Sequence, residues 1–183
     1  MEIRDYFAGL SELIGRLPWG RIEELVGILR DARKKGSCVF VFGNGGSAAT
    51  ASHFACDLGK GTVREGVPRF RVVTLHDLAT FSAYANDCGY DTVFVEPLKN
   101  LARPGDVAIG ISASGNSPNV LRAVEAAREM GLRTVGITGY QGGQLRDLVD
   151  LCIIVPSEDM QWIEDMHLAI LHAVFRALLD VNG

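Results

Sequence analysis

The apolar positions of this chain form two kinds of run, and the two kinds alternate. Near the N-terminus Ile3, Phe7, Leu10, Leu13, Ile14 and Leu17 recur at helical spacing, the stripe of an amphipathic helix. That helix is expected from about Glu2 to Leu17, interrupted by Gly9 and ended near Pro18. A second is expected from Ile22 to Lys35, closed by Gly36. Continuous apolar runs follow at Cys38–Phe42, Phe70–Leu75, Val107–Ile111, Thr134–Thr138 and Leu151–Val155, with helix-like stretches between them. Strands without polar alternation are buried on both faces, which predicts a parallel sheet covered by helices. Right-handed crossovers then give an α/β, doubly wound, five-stranded parallel sheet of flavodoxin-like type, with ligands at the C-terminal strand ends. No repeat, low-complexity tract or linker divides the chain, so residues 1–183 are expected to form one domain. Its N-terminal helices, residues 1–36, would pack on the core or on a neighbouring subunit. A closing helix from about Gln161 to Leu179 carries an apolar stripe broader than one packing face demands, which predicts an oligomer contact.

Composition changes the picture by exclusion. With 183 residues, 48% of them apolar, the chain is long enough to bury a proper core. A net charge of -4, with only Arg33-Lys34-Lys35 clustered, offers no general attraction for nucleic acid or an acidic membrane. No run approaches a membrane span, and an N-terminus bearing Glu2 and Asp5 lacks a signal-peptide core, so a cytoplasmic protein is expected. Cys38, Cys56, Cys88 and Cys152 have no metal-type spacing; Cys38 and Cys152 read as packing residues in strands.

The candidate chemistry starts where the first strand ends. Asn44, Gly45, Gly46 and Ser47 form a glycine turn that opens a helix, the arrangement that holds a phosphate on backbone N–H groups. Ser47 is expected to cap that helix and present its hydroxyl to the same anion. The turn is neither a Walker loop nor a dinucleotide fingerprint. After the third strand comes Ser112-Ala113-Ser114-Gly115-Asn116-Ser117, with Pro118 opening another helix. Ser112, Ser114 and Ser117 suit the three acceptor oxygens of a phosphate monoester. The segment Thr138–Gly143 reads equally well as a glycine strand exit or as a ligand contact. His53 and Asp57, four apart, share one helix face and can bind one divalent ion. On the last helix Glu164 and His172 lie eight residues apart, about 12 Å along the axis and rotated by roughly 80°. They are therefore expected to serve different copies of a site, each reaching across a subunit interface. His167, off that line, is expected to hydrogen-bond in an interface.

Together with His53-Phe54-Ala55, Asn86-Asp87 and the Thr138–Gly143 segment, these loops resemble the sugar isomerase (SIS) domain family, and within it the phosphoheptose isomerases. The resemblance runs from about Arg21 to the C-terminus. It implies interconversion of sedoheptulose 7-phosphate and glycero-manno-heptose 7-phosphate through an enediol, and a homotetramer with sites at subunit interfaces. It also implies one zinc or other divalent ion per site, on His53, Asp57, Glu164 and His172. Asp57 would be the base and His172 its acid–base partner. Substrate contacts would come from Asn44, Gly45, Gly46, Ser47, Asn86, Asp87, Ser112, Ala113, Ser114, Ser117 and Glu164. Asn86 and Asp87 equally suit a helix end. Lys60, one turn beyond Asp57, could meet a phosphate, though no family match supports it. The chain departs from the family in carrying Asp57 where the isomerases have Glu, and Glu164 where they have Gln. The rival expectation is a non-catalytic SIS protein that binds a phosphosugar or a partner, resembling the DnaA initiator-associating protein. That relative lacks the last-helix histidine that stands here as His172.

Overall fold

The computed structural model describes residues 2–179. Helices α1 (Ile3–Ile14) and α2 (Trp19–Lys35) precede strand β1 (Cys38–Gly43), helix α3 (Gly45–Cys56) and a π-turn at Asp57–Gly61. Then follow β2 (Arg71–Thr74), α4 (Leu78–Asp87), a 3-10 turn at Tyr90–Thr92 and α5 (Val95–Leu101). The second half runs β3 (Val107–Ile111), α6 (Pro118–Glu129), β4 (Arg133–Thr138), α7 (Leu145–Leu148), β5 (Leu151–Ile154) and α8 (Met160–Leu179). The strands form one parallel sheet in the order β2-β1-β3-β4-β5. This is the flavodoxin-like order, and its direction reverses between β1 and β3, where such sheets bind ligands.

Alternate residues of β1 feed two cores. Val39 and Val41 join α2, α3 and α8 on one face, while Phe40 and Phe42 join α5, α6 and α7 on the other. Burial on both faces is why these strands read as unbroken apolar runs. The broad stripe of α8 is accounted for within the chain, without need of an oligomer contact. Ile163, Met166, His167, Ile170, Leu171, Val174 and Leu178 are all buried within the chain, where α8 packs on α2 and α3 and also touches α1 and β4. Unsatisfied apolar surface lies instead on α1 and the start of α2. Ile3, Phe7, Ile14 and Trp19 are exposed, whereas Leu13 packs inward. Gly9 does not interrupt α1. It admits the Trp162 ring, which an added Cβ would meet at 2.2 Å, and Tyr6 Oη donates to Asp165 at 2.6 Å beside it.

Candidate functional site

The β1–α3 and β3–α6 turns leave adjacent strands at the same sheet end. In the first, Gly45 takes φ 53°, a conformation open to glycine, so that α3 can start one residue after the strand. The N-cap is Asn44, which corrects the expected role of Ser47. Ser47 lies inside the first turn, buried, because helix geometry has already begun at Gly45. The Asn44 side chain makes no capping bond either, so α3's first-turn N–H groups have no side-chain cap.

The serine loop is held from within and from behind. Ser112 Oγ and Ser117 Oγ are 3.0 Å apart, and Asn116 N donates to Ser114 Oγ at 3.2 Å. Gly115 sits at φ 65°, where an added Cβ would meet the Gly142 carbonyl oxygen at 2.0 Å. Leu145 N donates to Gly115 O at 2.9 Å, Gln144 N to Asn116 Oδ1 at 3.1 Å, and Thr138 Oγ1 to Ala113 O at 3.1 Å. The glycine-rich 139–143 segment thus braces the serine loop, a function that its strand-exit position does not reveal in sequence.

Helices α3 and α8 pack together, and His53, Asp57 and His172 converge between them. The two Nε2 atoms are 3.2 Å apart, and each lies 3.8 Å from Asp57 Oδ2. His172 therefore meets His53 and Asp57 of its own chain, correcting the expected reach across a subunit interface. Helix packing, which spacing along one helix cannot express, brings it there. Two turns earlier, Glu164 lies over the start of α3, where a Cβ added to Gly46 would fall 2.8 Å from its Oε2. The structure brings three of the four expected ion ligands together and places Glu164 apart from them. Asn86 and Asp87 end α4 in exposed positions, with Asn86 Nδ2 donating to Asp87 Oδ1 at 2.7 Å. Lys60 lies within the π-turn and is exposed.

The donor set fits a zinc-like ion. Tetrahedral ligands at zinc–nitrogen and zinc–oxygen distances of about 2.0–2.1 Å stand roughly 3.3 Å from one another. Separations of 3.2 and 3.8 Å lie close to that edge length. Asp57 is more sheltered than either imidazole, with 19% side-chain exposure against 50% for His53 and 44% for His172. The ion would then be reached from the imidazole side.

Two histidines have other surroundings. His76 Nε2 lies 3.0 Å from Gly43 O at the end of β1, and burial holds its pKa below the ordinary value. It borders a cleft of about 290 Å³ beside Asn44, together with Phe81 and Tyr90. A larger hollow of about 710 Å³, bordered by Glu12, Arg16, Arg146 and Trp162, also takes in Tyr140 and Gln141 of the 139–143 segment but none of the expected ion ligands or phosphate-loop residues. His167 is 1% exposed, and neither ring nitrogen makes a well-formed hydrogen bond, although the Thr138 backbone lies close enough to act on it. It lies inside the fold, so the interface expected for it gives way to the core beneath α8.

Burial lowers the His167 pKa to about 4, with the Thr138 backbone acting weakly in the opposite sense. The folded pKa is thus below the unfolded value of about 6.5. The unfolded chain binds this proton first, so stability is lost as pH falls from about 6.5 towards 4. The loss by pH 4 is on the order of 3 kcal/mol. Denaturant unfolding across this interval should show a steeper decline for the native protein than for His167→Leu. Equal slopes would mean that His167 is protonated in the fold.

Two missed residues join the turns: Asn119, at the start of α6, and Tyr90, in the 3-10 turn, both hydrogen-bonded to Asn44. The only sequence cue was an amide residue just after Pro118, in a position common at ordinary helix starts.

Comparison with known proteins agrees with this geometry. The family model for the SIS domain matches residues 5–139. A phosphoheptose isomerase of Akkermansia muciniphila is 40% identical over 175 residues, 95% of this chain and 89% of that protein. One of Geobacter sulfurreducens is 44% identical over 157 residues, 85% of this chain and 82% of that protein. Among solved structures, a phosphoheptose isomerase from Francisella tularensis matches with a TM-score of 0.90 at 28% identity, over 96% of this chain and 95% of its own. That from Neisseria gonorrhoeae matches with a TM-score of 0.89 at 29% identity, over 96% of both chains. The chain belongs to the SIS domain family and is an enzyme of its phosphoheptose isomerase branch.

Proposed function

We propose that this enzyme interconverts sedoheptulose 7-phosphate and glycero-manno-heptose 7-phosphate through an enediol. The observation that carries the reading is the convergence of His53, Asp57 and His172 between α3, the helix that the glycine turn opens, and α8. Aldose–ketose exchange moves a proton between adjacent carbons, so it needs a base, an acid for the carbonyl oxygen and stabilisation of the enediolate. Asp57 takes the base role, and His172 exchanges a proton with the substrate oxygen. Ser112, Ser114, Ser117 and the Ala113 backbone take the phosphate, with Ser47 behind them. Glu164 supports this division. Its carboxylate at the start of α3 repels a phosphate there and accepts sugar hydroxyls instead. Asn44, Gly45 and Gly46 then offer N–H groups to the sugar's oxygens, and Asn86 and Asp87 contribute hydroxyl contacts.

His53, Asp57 and His172 would hold the divalent ion, most simply zinc, one per site. When bound, that ion polarises the substrate oxygens and stabilises negative charge on them. The exposed apolar residues of α1 support assembly into a homotetramer with the sites near subunit interfaces.

Turnover of sedoheptulose 7-phosphate by metal-stripped protein, with and without added zinc, tests the reading. Aldose formation should be lost on stripping and return with zinc. A zinc-loaded, folded protein that binds the sugar phosphate without converting it would overturn the isomerase assignment.

A further inference from the structure

We propose that Asn119 is a positioning residue. It fixes the amide of Asn44 so that this side chain faces the ligand as a donor, and it keeps Asn44 from capping α3. The inference rests on the reading that Asn44 lies against the substrate.

Asn119 is 1% exposed at the second position of α6. The backbone N–H of Val120 donates both to its Oδ1 and to Ser117 O, each at 3.0 Å. A backbone N–H can only donate, so it decides which end of the Asn119 amide is oxygen. The rest of the chain of bonds then has one polarity. Asn44 Nδ2 donates to Asn119 Oδ1 at 2.9 Å, and Asn119 Nδ2 donates to Asn44 Oδ1 at 2.8 Å. Tyr90 Oη donates to the same Asn44 oxygen at 3.0 Å. Both acceptor sites of Asn44 Oδ1 are now filled, and one of its two N–H groups is used. What Asn44 can still offer is the other N–H.

The same bonds explain an oddity at α3. Asparagine at the N-cap ordinarily accepts from the first-turn N–H groups, and here it makes no such bond. Its oxygen is held by Asn119 and Tyr90 instead, across 75 residues of sequence in one case and 46 in the other. The helix end therefore keeps its donors for a ligand, and Asn44 adds one more. This lies between β1 and β3, where the strand order reverses. A cluster of fixed donors there suits a hydroxyl or carbonyl oxygen of the bound sugar.

Asn119→Asp tests the role. The carboxylate still accepts from Val120 N and Asn44 Nδ2, and an acidic side chain is favoured in the first turn of α6. It cannot donate to Asn44 Oδ1, so Asn44 is released and free to cap α3. Apparent affinity for sedoheptulose 7-phosphate, measured by calorimetry on the protein as purified, should fall about tenfold. Denaturant stability should fall, because a carboxylate at a 1% exposed position loses its hydration, so affinity in the Asn44→Ala background rather than stability separates positioning from a structural role. Tyr90→Phe, at a 55% exposed position, should weaken binding in the same sense by a smaller factor.

The Asn44→Ala background gives the decisive comparison. There Asn119→Asp should change affinity by less than about twofold, since no amide remains to orient. A full tenfold loss on top of Asn44→Ala, whether from electrostatic repulsion or altered packing, would overturn the positioning role alone. If Asn44→Ala itself leaves affinity unchanged, the substrate contact and the inference both fall. Intact binding without aldose formation would refute only the proposed reaction, and the affinity cycle would still read out.

Discussion

Replacing His172 with Gln is expected to lower turnover of sedoheptulose 7-phosphate by at least about a thousandfold, with folding unchanged. His172 is half-exposed on α8, so its loss opens no core cavity. What it removes is one of three groups gathered within hydrogen-bonding or ion-binding range, and glutamine lacks an imidazole to carry a proton. Zinc affinity should fall as well, because His53 and Asp57 alone leave the tetrahedral set short of a strong nitrogen donor. Measured kcat, zinc affinity and circular dichroism separate the effects. Native-like spectra with turnover within tenfold of the parent enzyme would remove His172 from the chemistry.

Gly115→Ala is expected to cost about 3–4 kcal/mol of stability and to weaken phosphate binding severely. Two independent penalties combine at this position. The backbone sits at φ 65°, where an L side chain is strained, and the new Cβ would lie 2.0 Å from the Gly142 carbonyl oxygen. Relief requires the 139–143 segment to move. Gly143 is itself pressed against Ser114 O, and Leu145 N is bonded to Gly115 O, so that movement displaces the serine loop. Urea titration would show the loss as a lower midpoint, and calorimetry with the sugar phosphate would show the weakened binding. A variant with a native midpoint and native affinity would mean that the brace is not rigid.

The fold was legible because its signals are local and repetitive. The run Val107–Ile111 is buried on both faces and could be little other than a central strand, and it was located to the residue. Gly36 closes α2 in the left-handed conformation, the conformation a glycine at that position announces. Readings that depended on neighbours fared differently. Gly9 looked like an interruption of α1 because helix propensity sees only a missing side chain. The Trp162 ring that needs the space comes from α8, far along the chain. The stripe on α8 looked too broad for one face because it serves several intramolecular partners at once.

The site divides along the same line. Residue types, and the spacing of His53 and Asp57, were sufficient to nominate the phosphate turns and an ion pair of ligands, since i and i+4 on a helix must be neighbours. Sequence nominated both Glu164 and His172 as their companions and could not tell that only one of them meets the pair. That choice depends on how far α8 slides along α3, a packing variable with no local signature, and it places His172 beside the pair and Glu164 over Gly46. Nor could it disclose Asn119, whose role arises only because β1 and β3 are adjacent and bring two asparagines 75 positions apart into one reciprocal hydrogen-bonded pair. The alternation of apolar runs thus determined the sheet, its helices and the turns at its ligand end, because burial acts on every residue of a strand. The tertiary structure alone decided which side chains meet across those turns, because that depends on the relative placement of elements rather than on their own composition.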